Sequence, residues 1–249
     1  MEQNGEQQAA GAPEISVVVP VFDEVDNLRP LLARVAAALR GRPFELVLVD
    51  DGSRDGSAAL IAALEREDAR VRGLFHPVNL GQTAAIASGI RAARAPWIAT
   101  LDADLQNDPA DLPRLLLAAG EHDAVVGYRA GRKDTWVRRA SSRVANAVRD
   151  RVTGDRVTDT GCSLKVFRAE AIRAVPFFEG MHRFLPTLLR WHGFSVIELP
   201  VSHHPRTAGR SKNGIGNRLV PALVDLCAVR WMRSRIIRPD AAGERVEVP

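Results

Sequence analysis

Short apolar runs alternate with segments of helical period along the first half of the chain. The runs are Ile15 to Val19, Phe44 to Val49, Val71 to Phe75, Trp97 to Leu101 and Ala124 to Gly127. Each has the length of a buried strand and is rich in β-branched residues. Between them the apolar positions recur with the period of a helix. This predicts helices over Asn27–Leu39, near 57–67, over Ala84–Ala93 and over Pro109–Ala119. Asp26 or Asn27 can cap the first helix, and Pro30 falls in its first turn, where a missing N–H does no harm. Ala85, Ala87, Ser88 and Gly89 would let the third helix lie close to a sheet. Such βα alternation predicts an α/β fold, a mostly parallel sheet with helices on both faces.

The pattern changes in the second half. Residues 129–158 are rich in Arg, with a helix expected from Trp136 to Val152. A strand at Ser163–Phe167, two short helices and a half-exposed strand at Ser195–Ser202 follow. An amphipathic helix over Leu219–Trp231 ends in basic residues.

Composition narrows the class. The chain has 249 residues, 46% hydrophobic and 26% charged, as in ordinary soluble globular proteins. Cys162 and Cys227 form no zinc or redox motif, so the chain reads as intracellular and reduced. Residues 1–13 are polar and acidic without an apolar core; they read as a disordered tail rather than a secretory signal, and 239–249 as a second tail. Leu219 to Val229, interrupted by Pro221 and Asp225, is short of the ~20 apolar residues of a spanning helix. The net charge is +4, with basic clusters at 138–156 and 230–238. Such clusters suit phosphate ligands or a membrane surface; no nucleic-acid motif accompanies them.

The candidate chemistry lies at the strand ends. Leu101-Asp102-Ala103-Asp104-Leu105-Gln106 closes one apolar run with two carboxylates. Paired acids at a buried strand end are costly unless a cation joins them. Mg²⁺ or Mn²⁺ would suit, completing its shell with substrate phosphates. By itself an Asp-x-Asp also fits an ordinary loop. Acids close two further runs, at Asp50-Asp51-Gly52-Ser53 and Phe22-Asp23-Glu24. In open α/β sheets ligands bind outside the carboxyl ends of the strands, where all three clusters fall.

Several motifs occur in order: Pro20-Val21-Phe22-Asp23-Glu24, Val49-Asp50-Asp51-Gly52-Ser53, Asn79-Leu80-Gly81-Gln82, Leu101 to Gln106, Asp159-Thr160-Gly161-Cys162, and Glu198-Leu199-Pro200-Val201 followed by Arg206 and Gly209-Arg210-Ser211-Lys212. The series resembles the family 2 glycosyltransferases of GT-A fold, within them the polyprenyl-phosphate branch (dolichol-phosphate mannosyltransferases and undecaprenyl-phosphate sugar transferases), over about residues 14 to 235. The resemblance implies a GT-A domain over 14–212; the amphipathic basic helix over 213–238 would either dock on a membrane or pack on its own domain. It implies inverting, metal-dependent transfer from a GDP- or UDP-linked sugar to a polyprenyl phosphate. Pro20, Phe22, Glu24 and Asp51 would contact base and ribose, while Asp102 and Asp104 would hold the metal, with Gln106 nearby. Arg129, Arg138 and Ser142, with Arg206, Ser211 and Lys212, would hold the acceptor phosphate, and Asp159 would lie by the acceptor. Asp104, Arg129 and Arg138 are the expected catalytic set.

A phosphate monoester is already anionic at neutral pH, so it needs positioning cations more than a base. Two alternatives stay open: a hydroxyl acceptor on a cell-surface glycan, and a non-catalytic subunit of a membrane glycosylation complex. The first needs a catalytic carboxylate, and none stands out. His182, His203 and His204 read as packing or hydrogen-bonding groups. Phe22 stands where relatives often have Tyr, and Asn213-Gly214 where they have Tyr after Ser-Lys. Without a spanning helix, the chain would dock peripherally at the cytoplasmic face of the membrane, either directly or through a membrane-protein partner. In direct docking the helix face of Leu219, Ala222, Leu223, Leu226 and Val229 would meet the lipid, flanked by arginines.

Overall fold

The computed structural model describes residues 12–130, 149–205 and 219–235. Its centre is one seven-stranded sheet: β1 Ile15–Val21, β2 Phe44–Asp50, β3 Val71–Phe75, β4 Trp97–Thr100, β5 Ala124–Arg129, β6 Lys165–Arg168 and β7 Val196–Val201. The strand order is β3-β2-β1-β4-β6-β5-β7. β1 pairs in parallel with β2 and β4, and β5 with β7, whereas β6 runs antiparallel to both β4 and β5. Six strands therefore share one direction, and the long excursion after β5 returns the chain reversed. Strand periodicity carries no sign of direction, so this reversal was not predicted.

The α-helices among the described residues are α1 Val25–Ala38, α2 Ser57–Glu67, α3 Gln82–Ala92, α4 Leu112–Ala119, α5 Ala169–Ala174, α6 Leu185–Trp191 and α7 Leu219–Arg233. Two apolar clusters line the two sheet faces. Val17, Val19, Leu46 and Leu48 face Leu28, Leu31 and Leu115, while Val18, Val47 and Val49 face Ile86 and Ile90. The alternation along β1 and β2 is the period-2 pattern of strands buried on both faces. Gly89 lets α3 approach: a Cβ there would lie 2.2 Å from Val18 Cγ1.

One local expectation is corrected, and one reading left open is decided. Neither Asp26 nor Asn27 caps α1; Glu24 occupies the cap position without a side-chain cap bond, and buried Asn27 instead donates from Nδ2 to Glu24 Oε2 at 2.6 Å. The face of α7 that could meet lipid or its own domain is turned inward where its side chains are described, for Leu226 and Val229 share a buried cluster with Phe184, Leu188 and Trp191. Arg233 donates to Thr153 O at 2.8 Å and lies over the Trp191 ring.

Candidate active site

The carboxyl ends of β1, β2 and β3 enclose a cleft of about 670 Å³, lined by Phe22, Asp23, Asp50, Ser53, Phe75 and His76 among others. Its walls are two loops stitched together. Asp23 N–H donates to Ser53 Oγ, Glu24 N–H to Ser57 Oγ, Val25 N–H to Asp55 Oδ2 and Arg54 N–H to Asp23 Oδ1. Asp23 takes a positive φ of 49° to make the turn. Pro20 lacks an N–H, which matters little there, because the β1–β4 register ends at Val18↔Thr100.

Asp51 is turned away from this cleft. It is 3% exposed, and its carboxylate accepts from Leu80 N–H at 2.9 Å, Gly81 N–H at 2.8 Å and His76 Nδ1 at 2.8 Å. His76 Nε2 in turn meets Ser88 Oγ at 3.0 Å. Asp51 thus clamps the 79–81 loop at the start of α3. Its neighbour Asp50 is also 3% exposed and lines the cleft; Oδ2 accepts from Ser53 N–H at 3.2 Å, while Oδ1 has no partner among the described residues. An unsatisfied buried carboxylate oxygen is costly, and a ligand donor would relieve it.

The paired acids lie past the end of β4 and are not part of the cleft lining. Asp102 Oδ1 accepts from Gln82 Nε2 at 3.0 Å, which ties β4 to α3, and Asp102 N–H donates to Ser163 Oγ at 3.2 Å. Asp104 is 8% exposed and takes Gln106 N–H at 3.1 Å on Oδ1. Leu105 between them and Gln106 has φ 59°, a left-handed conformation that a branched side chain enters at a cost. Burial and then the charge of Asp104 push the Asp102 carboxyl above the usual carboxylate range, against the Ser163 hydroxyl, Lys165 and Arg129.

Lys165, at the start of β6, is 4% exposed and pairs across the sheet with Thr100. Its ammonium reaches His182 O at 3.4 Å, and burial pushes its pKa down against the pull of Cys162, Asp102 and Asp159. Asn107 Nδ2 donates to Ser163 Oγ at 2.7 Å, which fixes the hydroxyl behind Asp102. Thr83 Oγ1 meets His182 Nδ1 at 2.7 Å.

Arg129 and Asp159 form a fork-to-fork pair, with Nε–Oδ2 at 2.6 Å and Nη2–Oδ1 at 2.8 Å. Burial opposes ionisation of Asp159, but the Arg129 guanidinium outweighs it and holds the carboxyl below its usual range. Asp159 therefore orients Arg129. Phe22 stands on the cleft, Glu24 follows at the head of α1, and Asp102, Asp104 and Gln106 gather at the end of β4. His204 anchors the chain that leads to Arg206: its N–H donates to Gln106 O at 2.7 Å, and its ring meets Asp108 at 3.0 Å. Arg138, Ser142, Arg206, Ser211 and Lys212 lie outside the described residues. Gln82, Ser163 and Lys165 were given no role from the sequence, and Asp50 was read only as one of the acids that close a strand. Lys165 carried a signal, as a lone cation inside the apolar run Cys162 to Phe167.

The sheet order and the reversed strand are those of a GT-A type fold. The chain matches the model of glycosyl transferase family 2 over residues 16–175 and belongs to that family. It is 42% identical over 236 residues to a dodecaprenyl-phosphate galacturonate synthase of Rhizobium johnstonii, covering 91% of this chain and 69% of the relative. It is 40% identical to an undecaprenyl-phosphate 4-deoxy-4-formamido-L-arabinose transferase of Edwardsiella ictaluri, covering 85% and 66%. The chain thus spans about two thirds of the length of these relatives. Among solved structures it resembles glucosyl-3-phosphoglycerate synthase of Mycobacterium tuberculosis in complex with Mn²⁺, UDP and product, at TM-score 0.66 and 18% identity, covering 92% and 82%. It also resembles a mannosyltransferase of Pyrobaculum calidifontis in complex with GDP-Man and Mn²⁺, at TM-score 0.56 and 19% identity, covering 76% and 55%. The expected family, fold and enzyme class are borne out: the chain is a glycosyltransferase, and its curated relatives are polyprenyl-phosphate sugar transferases. No described helix is long and apolar enough to cross a membrane.

Proposed function

We propose that this chain transfers a sugar from a nucleotide-sugar donor to a polyprenyl phosphate, with inversion at the anomeric carbon. The observation that carries the reading is the placement of Asp102 and Asp104 beyond β4, one strand away from a cleft lined by Asp50, whose buried Oδ1 has no partner among the described residues. The donor set fits Mg²⁺ or Mn²⁺. Two carboxylates leave most of a six-oxygen shell to diphosphate and water, and like-charge repulsion between them favours a cation. A bound divalent ion would act as a Lewis acid toward the leaving diphosphate. Gln82 and Ser163 hold Asp102 in place, and Gln106 N–H does so for Asp104.

The base enters the cleft beside Phe22 and Phe75. Asp50 Oδ1 offers one acceptor, because Oδ2 already serves Ser53 N–H. One acceptor suits the single imide N–H of uracil better than the paired N1–H and N2–H donors of guanine, so we take the donor to be UDP-linked. On the acceptor side Arg129 is held in position by Asp159, with Nε and Nη2 occupied. Arg138, Ser142, Arg206, Ser211 and Lys212 supply the remaining phosphate contacts in this reading. The lipid phosphate oxygen attacks directly, without a strong base.

The membrane is met by the outer face of α7, at the cytoplasmic surface. Val224 and Trp231 are 61% and 60% exposed, with Cys227 exposed between them and the Arg235 guanidinium over the Trp231 ring. Exposed apolar side chains with flanking arginines suit an anionic bilayer interface.

Thermal stabilisation by a panel of nucleotide sugars with Mn²⁺ names the donor, since a bound ligand raises the melting point by mass action. UDP-sugars are expected to stabilise and GDP-sugars are not. Metal-dependent turnover should require polyprenyl phosphate, and NMR should show an inverted product. Turnover indifferent to the lipid, or a retained anomeric configuration, refutes the proposal.

A further inference from the structure

Lys165 is a buried cation with little to hold it. Its one hydrogen bond among the described residues is the 3.4 Å contact to His182 O, and no carboxylate lies within ion-pairing distance of it there. Buried ammonium groups are normally paired. The other described cation near the paired acids, Arg129, is already neutralised by Asp159. Lys165 pairs in register with Thr100, the last residue of β4 and two positions before Asp102, and Asp102 N–H donates to Ser163 Oγ on the chain that leads into Lys165. Asp102 and Lys165 act on one another electrostatically, each favouring the charged form of the other.

We propose that Lys165 is a positioning residue for the cation site, resting on the reading that Asp102 and Asp104 bind a divalent metal. It supplies a fixed positive charge behind Asp102 that holds the two acids together in the metal-free enzyme. The same charge repels an incoming dication and weakens metal binding to the free enzyme. The added negative charge of a nucleoside diphosphate offsets that repulsion, so metal and donor bind together. A site of two bare carboxylates would retain metal before any donor arrived.

The test is Lys165→Met, which keeps the length of the side chain and removes its charge. Mn²⁺ affinity is measured by calorimetry without nucleotide, and thermal unfolding is followed in EDTA and in saturating Mn²⁺. Removing a unit charge a few ångströms from a dication changes affinity by about tenfold or more even at an effective dielectric near 20. The variant should bind Mn²⁺ at least that much more tightly. Its melting point should fall below wild type in EDTA and recover most of the gap in Mn²⁺. A role in packing alone would lower both melting points equally and leave Mn²⁺ affinity unchanged, and that result overturns the proposal. If the variant does not fold in EDTA, refolding with Mn²⁺ and UDP should recover it, and failure to do so overturns the proposal as well. Wild-type protein that binds no Mn²⁺ even with UDP would instead sink the metal reading itself.

Discussion

Replacing Asp51 by Asn separates a structural clamp from a ligand contact. The carboxylate accepts from Leu80 N–H, Gly81 N–H and His76, all at 2.8–2.9 Å, inside a site 3% exposed. An amide has one acceptor oxygen. If that oxygen keeps Leu80 and His76, its NH₂ faces Gly81 N–H, and one buried donor is stranded at a cost of about 1–3 kcal/mol. The remaining bonds lose their charge assistance, which roughly halves their strength. The sum is about 2–4 kcal/mol, or a melting-point drop of about 5–15 °C for a chain of this size. Loosening Gly81 also frees Gln82, which holds Asp102, so Mn²⁺-dependent UDP binding should weaken in parallel. Urea unfolding and calorimetry measure the two effects. A variant within about 0.5 kcal/mol of wild type refutes the clamp. Should such a stable variant also lose nucleotide affinity, Asp51 touches the ligand instead.

Other expectations follow from the same contacts. Asp104→Asn should keep the wild-type circular dichroism while metal-dependent turnover falls by about 10³, the loss of several kcal/mol of charge stabilisation; turnover within threefold of wild type would count against a metal-bound donor. Gly89→Val should lower stability by about 1–3 kcal/mol or more, because the Cβ would meet Val18 Cγ1 at 2.2 Å and push α3 off the sheet; thermal unfolding reads it. Burial pushes Glu45 up, but bonds from Ser16 Oγ, Arg94 N–H and Arg72 outweigh it, so its folded pKa lies below the ordinary 4.5. Its contribution is full above that ordinary value and fades as pH falls through the lower folded value. Glu45→Gln should therefore flatten the acid limb of the stability–pH curve, and an unchanged limb would refute the assignment. Val224→Asp with Trp231→Asp should abolish sedimentation with anionic liposomes and spare activity on a detergent-dispersed acceptor; full sedimentation would exclude this face of α7.

The strand ends were legible in the chain because their signal is local. An apolar run that stops at acids marks Val49-Asp50 and Leu101-Asp102 without any knowledge of neighbours. Helix-face assignment was legible only in part. Leu226 and Val229 were rightly read as apolar, but amphipathicity does not say whether an apolar stripe meets lipid or its own domain, and here Trp191 and Phe184 cover it. Val224 and Trp231 lie on the opposite side, too few to register as a stripe.

The order of elements, the nature of the acids and the family to which they belong were written in residue type and spacing, since strand and helix periods are properties of neighbouring positions. Which oxygen of which acid remains available was decided only by folding. Asp50 and Asp51 are adjacent and chemically identical, yet strand alternation sends one toward the cleft and the other into the 79–81 loop. Lys165 acquires its place beside Thr100, at the strand end that leads to Asp102, because β6 enters the sheet reversed beside β4, and contacts between residues 63 positions apart leave no trace in local pattern.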